Sequence, residues 1–279
     1  MLIAYIRLLR AHHWLKNLFL FAAPFFGGAL LREDVLLLAL PVFLTFSFGT
    51  TSIYIFNDII DRDTDLLHPR KMHRPIASGK IGVNTAAMLS IFFLFISLFA
   101  SYRIERLFFF YLLLYILVQA LYTVKLKTLP IVDIFSVAAG FVIRVFAGGA
   151  AFHVRVSPWL FLTMFMISLV LASGKRLSEF TRLKENAIAH RTSLRHYSEG
   201  LLKNMLTLSS SASLICYALY TLEQSITLVY TVPVVTFGLF RYLMNVEKGY
   251  GDATEAMFKD RVLSVTVGGW LLIIYLLRY

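Results

Sequence analysis

The sequence contains little charge and a single cysteine. Charged residues make up 15% of the 279 positions and hydrophobic residues make up 58%, whereas ordinary globular domains carry about 25% charged residues. This composition excludes a soluble domain built around one core, and it excludes a disordered chain. The lone Cys216 lies inside an apolar run. A disulfide framework and a cysteine-based zinc site are therefore excluded as well.

Acidic residues are scarce even among the few charges, with 16 Asp and Glu against 27 Lys and Arg, a formal net charge of +11. Most of the basic residues fall in segments on one side of the apolar runs, which is the positive-inside pattern of membrane proteins. This pattern explains the surplus of positive charge without a nucleic-acid partner. It predicts a membrane protein with the N-terminus and the longer connections in the cytoplasm.

Long apolar runs occupy most of the chain, and the mean hydropathy is +0.73. They are rich in Leu, Phe, Ile and Ala and show no alternation of period two, so they predict helices rather than barrel strands. We predict an all-α integral membrane protein, with about nine transmembrane helices bundled around a central cavity that opens to the cytoplasm. The candidate spans are residues 15–31, 35–57, 83–101, 106–124, 130–151, 157–174, 205–221, 226–243 and 262–279.

Two connecting segments are longer than the others, residues 58–82 and 175–204. Both follow a predicted span on the cytoplasmic side. Long ordered loops in compact folds are usually functional. The sequence therefore predicts one transmembrane domain over residues 1–279, with its functional residues in these two loops.

The first candidate site is an acidic segment at the end of the second predicted span. On a helix, Asp58, Asp61 and Asp65 share one face, and Asn57 lies one turn before Asp61. Clustered carboxylates repel one another unless a cation neutralises them, and hard oxygen ligands suit Mg²⁺ together with substrate phosphates. The alternative is a solvated helix end whose acids pair with nearby basic residues. Because acids at a helix C-terminus oppose the helix dipole, we favour metal binding.

Basic residues follow this acidic segment directly. Lys71 and Arg74 lie in a stretch whose prolines and Gly79 indicate a turn. Such cations would neutralise the phosphate oxygens that Mg²⁺ does not reach. The alternative is positive-inside topology with contact to the headgroups of membrane lipids. For Lys71 and Arg74 we favour the phosphate-binding role.

The second long loop opens with Lys175, Arg176 and Glu179, at helical spacings of three and four residues. A surface ion pair with this spacing would contribute only a few tenths of a kcal/mol. A pair of cations placed here could instead hold phosphates that a metal does not reach.

Smaller signals come from two other segments. Tyr122, Lys125 and Lys127 end the fourth predicted span on its cytoplasmic side, and Arg144 lies inside the fifth. An arginine within a span costs about 2.5–3.5 kcal/mol on insertion scales, so it should face a wet cavity or a partner. Glycines one turn before and after it leave room for a ligand, or for a tightly packed helix.

These motifs are similar to those of a known family. The pattern Asn57-Asp58-x-x-Asp61-x-x-x-Asp65, followed by Lys71-x-x-Arg74-Pro-Ile-Ala, resembles the first aspartate-rich motif of the UbiA superfamily of intramembrane prenyltransferases. Typical aromatic prenyltransferases carry a second aspartate-rich motif after span six, where this chain has Lys175-Arg176-x-x-Glu179. That difference resembles the decaprenyl-phosphate phosphoribosyltransferase branch. Further matches are Trp14-Leu15-Lys16-Asn17, Gly140 to Arg144, Ala147-Gly148 and Arg241-Tyr242.

The resemblance implies transfer of 5-phosphoribose from phosphoribosyl diphosphate (PRPP) to a polyprenyl phosphate such as decaprenyl phosphate. Diphosphate is released, and the product leads to arabinose-containing polymers of the cell envelope. The resemblance therefore implies a location in the inner (plasma) membrane of a bacterial cell. The implied catalytic residues are Asp58, Asp61, Lys71 and Arg74. The implied Mg²⁺ ligands are Asn57, Asp58, Asp61 and Asp65. The implied substrate-binding residues are Lys16, Tyr122, Lys125, Lys127, Arg144, Lys175, Arg176 and Glu179.

Two other functions stay open from the sequence. One is a conventional UbiA-type prenyltransferase that joins an isoprenoid diphosphate to an aromatic acceptor. The other is a transporter without catalysis, which the position of the carboxylates at the cytoplasmic rim disfavours because transporters bind near the midplane. A homo-oligomer is compatible with the sequence.

Overall fold

The computed structural model describes residues 2–67, 71–183 and 196–279. Helices make up 85% of the structure, and these ranges contain no strand. The predicted all-α fold is thereby confirmed. Two parts of the predicted loops, residues 68–70 and 184–195, lie outside the described residues.

The chain divides into two compact units. The first comprises Met1–Leu126 and Ile143–Arg155, and the second comprises Lys127–Val142 and Val156–Tyr279. The helix that carries Asp133 and Arg144 contributes its first part to the second unit and its last part to the first.

The helices of the first unit are α1 (Leu2–Leu9), α2 (Ala22–Phe26), α3 (Glu33–Ile60), α4 (Arg62–Leu66), α5 (Val83–Ile104), α6 (Arg106–Val124) and the end of α7 (Val132–Ala151). Those of the second unit are the start of α7, α8 (Pro158–Leu183), α9 (Glu199–Gln224), α10 (Val232–Glu247), α11 (Ala253–Lys259) and α12 (Arg261–Arg278). Short 3₁₀ helices are Ala11–Phe21, Lys71–His73, Leu126–Thr128 and Ile226–Thr231.

Eight helical segments among the described residues are long and apolar enough to cross a membrane. They begin at Glu33, Val83, Arg106, Val132, Pro158, Glu199, Ile226 and Arg261. Their apolar side chains also face outward: Met88, Phe92, Phe95 and Phe99 form an exposed stripe along α5. Such a stripe is unfavourable in water and expected against lipid. The chain is a multi-pass membrane protein.

The predicted span 15–31 differs from the other eight. Its first part lies in the 3₁₀ helix Ala11–Phe21, which is followed by the five-residue helix α2. A 3₁₀ helix of this length is uncommon, and it rises about 2.0 Å per residue instead of about 1.5 Å. The two elements together therefore extend about 30 Å along their axes, near the thickness of a bilayer core.

The two long connecting segments are shorter in the structure than predicted, because helices extend into both of them. The segment 175–204 begins inside α8, which continues to Leu183, and it ends inside α9, which starts at Glu199. The Ser198 side chain accepts a hydrogen bond from the Leu201 backbone N–H at 3.1 Å and so begins α9. In the first segment, α3 continues to Ile60 and α4 follows it. Asp58, Asp65 and the motif Lys175-Arg176-x-x-Glu179 therefore lie on helices, whereas Asp61 separates α3 from α4.

Each unit has its own apolar core. In the first unit Val42, Phe46, Leu112 and Phe152 belong to a buried cluster that includes residues of α3, α6 and α7. In the second unit the core consists of residues from α7 to α12, among them Ile134, Val170, Leu202, Leu239 and Leu263.

An acidic cap organises the C-terminal part of the second unit. Asp260 accepts hydrogen bonds from the Arg241 Nε and Asn245 Nδ2 atoms of α10, at 2.6 and 2.7 Å, and from two backbone N–H groups of α12. Burial alone would raise the pKa of Asp260, but these hydrogen bonds outweigh it and lower that pKa to about 2. The ionised carboxylate therefore joins α10 to α12.

The 3₁₀ helix packs against α7 with no space between the backbones. A Cβ atom at Gly148 would lie 1.8 Å from the backbone oxygen of Leu20. Only glycine permits this approach. Of the two alternatives for the glycines that flank Arg144, room for a ligand or a tightly packed helix, Gly148 therefore fits the second.

Gly148→Ala should destabilise the protein, because the added methyl group must push the 3₁₀ helix away from α7. We expect a decrease of about 5–10 °C in the midpoint of thermal unfolding, measured on detergent-purified protein. Gly268→Ala in α12 is the matched control, since no atom lies within 4 Å of its Cβ position. Equal midpoints for the two variants would contradict this packing.

Candidate active site

The acidic segment lies where α3 ends and α4 begins. Asp58 is on the last turn of α3, Asp61 separates the two helices and Asp65 is on α4. Asp58 and Asp65 are each only 2% exposed, whereas Asp61 is half-buried. Burying two carboxylates together requires compensating positive charge.

Arg74 supplies part of this charge by bridging the two buried carboxylates. Its Nη1 atom donates to Asp58 Oδ1 at 3.1 Å and also to Asp65 Oδ2. Lys71 Nζ lies 3.8 Å from Asp65 Oδ1. The structure thus brings together four residues that the sequence places in one motif, and both carboxylates point at the same atom, Arg74 Nη1.

Arg10 supplies a further positive charge, and it was not among the site residues predicted from the sequence. Its Nη2 atom donates to Asp58 Oδ1, across 48 positions of sequence. Burial lowers the pKa of the Arg10 guanidinium, while the nearby charge of Asp58 raises it. In the sequence Arg10 counts only as one of many positive charges near a membrane segment, and no local pattern marks it as a partner of Asp58.

Asn57 and Asp61 form a second pair beside the bridge. Asn57 Nδ2 donates to Asp61 Oδ2 at 3.1 Å, and Thr123 Oγ1 donates to Asn57 Oδ1 at 3.2 Å. Thr123 belongs to the motif that ends α6, where it lies next to the half-buried Tyr122 and two residues before the exposed Lys125. Thr123 was not selected from the sequence, although it lies between the selected residues Tyr122 and Lys125. Lys127 follows in the second unit, half-buried.

The oxygen atoms of this cluster fit a divalent cation in part. Within the described ranges no three His, Cys, Asp or Glu side chains gather as an all-protein metal site. Magnesium, however, commonly uses one or two carboxylates and takes its other ligands from substrate phosphates and water. Asp58 and Asp65 both contact Arg74 Nη1, so their carboxylates lie close enough together to share one cation of that kind.

Arg144 lies in the interior of the first unit and is only 4% exposed. Its Nε atom donates to Asn17 Oδ1 and its Nη2 atom to the hydroxyl of Tyr115, both at 2.9 Å. The guanidinium also lies over the rings of Phe46 and Tyr115. Arg144 therefore joins the 3₁₀ helix to α6. Lys16, the neighbour of Asn17, is half-buried.

The second unit contains its own buried charges. Arg176 Nε donates to Asp133 Oδ2 at 2.8 Å, and Arg176 Nη1 donates to Glu179 Oε2 at 3.0 Å. The hydroxyl of Tyr197 donates to the other oxygen of Asp133 at 2.7 Å. Burial and this hydrogen bond both raise the pKa of Tyr197. Tyr197 was not selected from the sequence, because it lies 64 positions from Asp133.

Lys175 is the accessible cation of this group. Its side chain is 42% exposed, and its Nζ atom lies 3.4 Å from Asp252 Oδ2. The chain approaches α8 closely just before Asp252: a Cβ atom at Gly251 would lie 2.1 Å from the backbone oxygen of Gly174. The Tyr242 hydroxyl donates to the Gly251 oxygen at 2.7 Å and fixes this approach. Tyr242 is in a motif singled out from the sequence, and the structure shows that its hydroxyl packs against Gly174, the residue before Lys175.

The sequence matches a known family along nearly its whole length. Residues 11–267 match the UbiA prenyltransferase family. The chain is 32% identical to the decaprenyl-phosphate phosphoribosyltransferase of Mycolicibacterium smegmatis, over 95% of this chain and 89% of the relative. It is also 32% identical to the enzyme of the same name from Corynebacterium glutamicum, over 98% of this chain and 86% of the relative.

The fold is that of solved UbiA proteins. A UbiA homolog from Archaeoglobus fulgidus, bound to GPP and Mg²⁺, superposes with a TM-score of 0.78 at 21% identity, over 98% of each chain. The same homolog bound to Cd²⁺ gives a TM-score of 0.74 at 21% identity, over 98% of this chain and 99% of that one. At this identity the likeness establishes the fold.

The family suggested by the aspartate-rich motif is confirmed by these matches, and so is the branch suggested by Lys175-Arg176-x-x-Glu179. The prediction of an enzyme is confirmed as well. The chain belongs to the UbiA prenyltransferase family, and it is a transferase.

Proposed function

We propose that this transferase moves 5-phosphoribose from PRPP to a polyprenyl phosphate, decaprenyl phosphate or a similar lipid, and releases diphosphate. The product would feed the synthesis of an arabinose donor for cell-envelope polysaccharides. The observation that carries the proposal is that Asp58 and Asp65 converge on one positively charged group, the guanidinium of Arg74, with Lys71 beside it. The names of the relatives support the choice of donor and acceptor.

The acidic cluster would hold the diphosphate of the donor through Mg²⁺. Asp58 and Asp65 are the proposed ligands that converge, and Asn57 and Asp61 complete the set predicted from the sequence. A divalent ion at such a site stabilises the negative charge that develops on a departing diphosphate. Lys71 and Arg74 would bind the diphosphate oxygens that the metal leaves uncompensated.

The transfer itself breaks the bond between C1 of the ribose and the diphosphate oxygen, and the diphosphate leaves with the bonding electrons. An oxygen of the acceptor phosphate forms the new bond to C1 from the opposite face, which inverts that carbon. The acceptor phosphate is ionised at neutral pH, so no strong general base is required. We propose that Tyr122, Lys125 and Lys127 bind the donor.

Lys16 is the proposed ligand of the acceptor phosphate. Arg144 was also predicted to bind substrate, but its guanidinium is buried against Asn17 and Tyr115. We therefore propose that Arg144 acts indirectly, by holding the 3₁₀ helix that carries Lys16.

In the second unit, Lys175 would bind the 5-phosphate of the donor, since it is the more exposed cation of the pair. Arg176 lies between Asp133 and Glu179. Its proposed role is to orient Glu179, whose carboxylate would accept hydrogen bonds from the ribose hydroxyls. The excess of basic residues on one side of the spans supports an orientation with the N-terminus and this chemistry in the cytoplasm. The bacterial relatives support a location in the plasma membrane of a bacterial cell.

A conventional prenyltransferase is the second candidate, because the solved A. fulgidus homolog binds GPP. Radiolabelled PRPP, incubated with purified protein, Mg²⁺ and decaprenyl phosphate, separates the two. We expect label in the lipid extract. Label that stays in the aqueous phase, with transfer from labelled GPP to an aromatic acceptor instead, would refute the proposal.

Asp58→Asn and Asp65→Asn should each reduce this transfer by more than about 100-fold, because each removes one of the two converging charges. Asp61→Asn should have a similar effect if the set predicted from the sequence acts together. Asp63→Asn is the control, since Asp63 is exposed on α4 between these residues. Circular dichroism checks that the variants stay folded, and wild-type rates would remove the metal from the mechanism.

Lys175→Ala should raise the KM for PRPP by about 10–100-fold, the loss expected for one charge-assisted hydrogen bond to a phosphate. The KM for the polyprenyl phosphate should stay the same. Lys203→Ala, which removes an exposed lysine of the same unit, is the control. An effect confined to the acceptor KM would show that the role of Lys175 is assigned wrongly.

A further inference from the structure

Arg10 lies at an unusual point of the backbone. It separates α1 from the 3₁₀ helix and adopts a left-handed conformation, with φ 49° and ψ 43°. A residue with a side chain pays about 1–2 kcal/mol for this conformation. Such positions persist only where surrounding contacts hold them, and they cluster at functional sites.

The contacts that hold Arg10 run along one face of α3. The Leu9 oxygen accepts from Thr51 Oγ1 at 3.3 Å, and Trp14 Nε1 donates to the same Thr51 oxygen at 3.1 Å. Between them, the Arg10 guanidinium lies 5.7 Å from the centre of the Tyr54 ring and reaches Asp58. The chain before and after Arg10 is thus fastened to α3, and the side chain is aimed at the end of that helix.

The charges of this cluster balance closely. Asp58 and Asp65 are buried and negative, and Arg10 and Arg74 are the cations whose guanidinium groups contact them. A divalent ion bound by these two carboxylates competes for the oxygens that both guanidiniums use. The Arg10 side chain is only 13% exposed, so turning away from Asp58 without a new anion would leave a desolvated charge. A diphosphate is the anion that could accept it, since guanidinium groups bind phosphate oxygens in a bidentate manner.

We propose that Arg10 is a donor-binding residue that exchanges Asp58 for a diphosphate oxygen. This inference rests on the proposed function. The exchange makes metal binding and diphosphate binding depend on each other. The metal alone binds weakly because Arg10 competes for Asp58, and it binds tightly with diphosphate because Arg10 then has another anionic partner. Arg74 contacts the same carboxylate oxygen and belongs to the same exchange.

Two binding measurements on the full chain in lipid nanodiscs test this exchange without turnover. Electron paramagnetic resonance of free Mn²⁺ gives the affinity for the metal alone. Equilibrium dialysis of ³²P-labelled inorganic diphosphate in excess Mg²⁺ gives the affinity for the anion. Arg10→Gln should bind Mn²⁺ alone about 10-fold more tightly and diphosphate about 10-fold more weakly. Arg10→Lys, which keeps the charge and loses the bidentate geometry, should restore part of the diphosphate affinity.

Arg7→Gln is the matched control, because Arg7 is exposed at the end of α1. It should leave both affinities at the wild-type values. If Arg10→Gln weakens Mn²⁺ and diphosphate together and Arg10→Lys rescues neither, Arg10 only supports the cluster and the exchange is refuted. If the wild type retains diphosphate and Arg10→Gln changes neither affinity, the role of Arg10 is refuted while the proposed function still stands. A wild-type protein that retains no diphosphate with Mg²⁺ refutes the proposed function itself.

Discussion

The bridge that Arg74 makes between Asp58 and Asp65 is the interaction on which the first unit's site depends. These two carboxylates are 2% exposed and have therefore lost most of their hydration. They would also repel each other if no cation lay between them. This requirement explains why Lys71 contacts Asp65 on α4 and why Arg74 contacts both Asp65 and Asp58, at the end of α3. It also links cation binding to anion binding, since a cation that binds the carboxylates displaces the guanidinium groups, which then need another anion.

The second unit also contains a buried carboxylate that needs hydrogen-bond donors and a positive charge beside it. Asp133 is fully buried, and it receives hydrogen bonds from Arg176 and Tyr197 on its two oxygens. Arg176 is in turn shared with Glu179. A motif that looks like a run of surface charges is therefore mostly an internal support, and Lys175 is its accessible member. The distinction matters for mutagenesis, because Arg176→Ala would leave Asp133 without its guanidinium partner, whereas Lys175→Ala would not.

Helix packing explains why one predicted span has an unusual form. The 3₁₀ helix Ala11–Phe21 is fixed by Asn17, which donates to Ser47 and accepts from Arg144, and by the close approach of Leu20 to Gly148. None of these partners is near in sequence. The local sequence predicts an ordinary apolar helix, and the neighbouring helices select the tighter winding. The same contacts give Arg144 its partner, which is the condition that a buried arginine in a span must meet.

The sequence by itself determined the helical membrane class, the approximate position of eight spans and the two charged motifs, because hydropathy and helical spacing are local properties of the chain. It also determined the family, through the order of Asn57, Asp58, Asp61 and Asp65 and through Lys175, Arg176 and Glu179. Tertiary structure alone decided which charged and polar side chains meet: Arg10 with Asp58, Tyr197 with Asp133 and Lys175 with Asp252. These partners lie 48 to 77 positions apart, and electrostatic pairing depends on distance in space, which helix packing sets and local sequence does not.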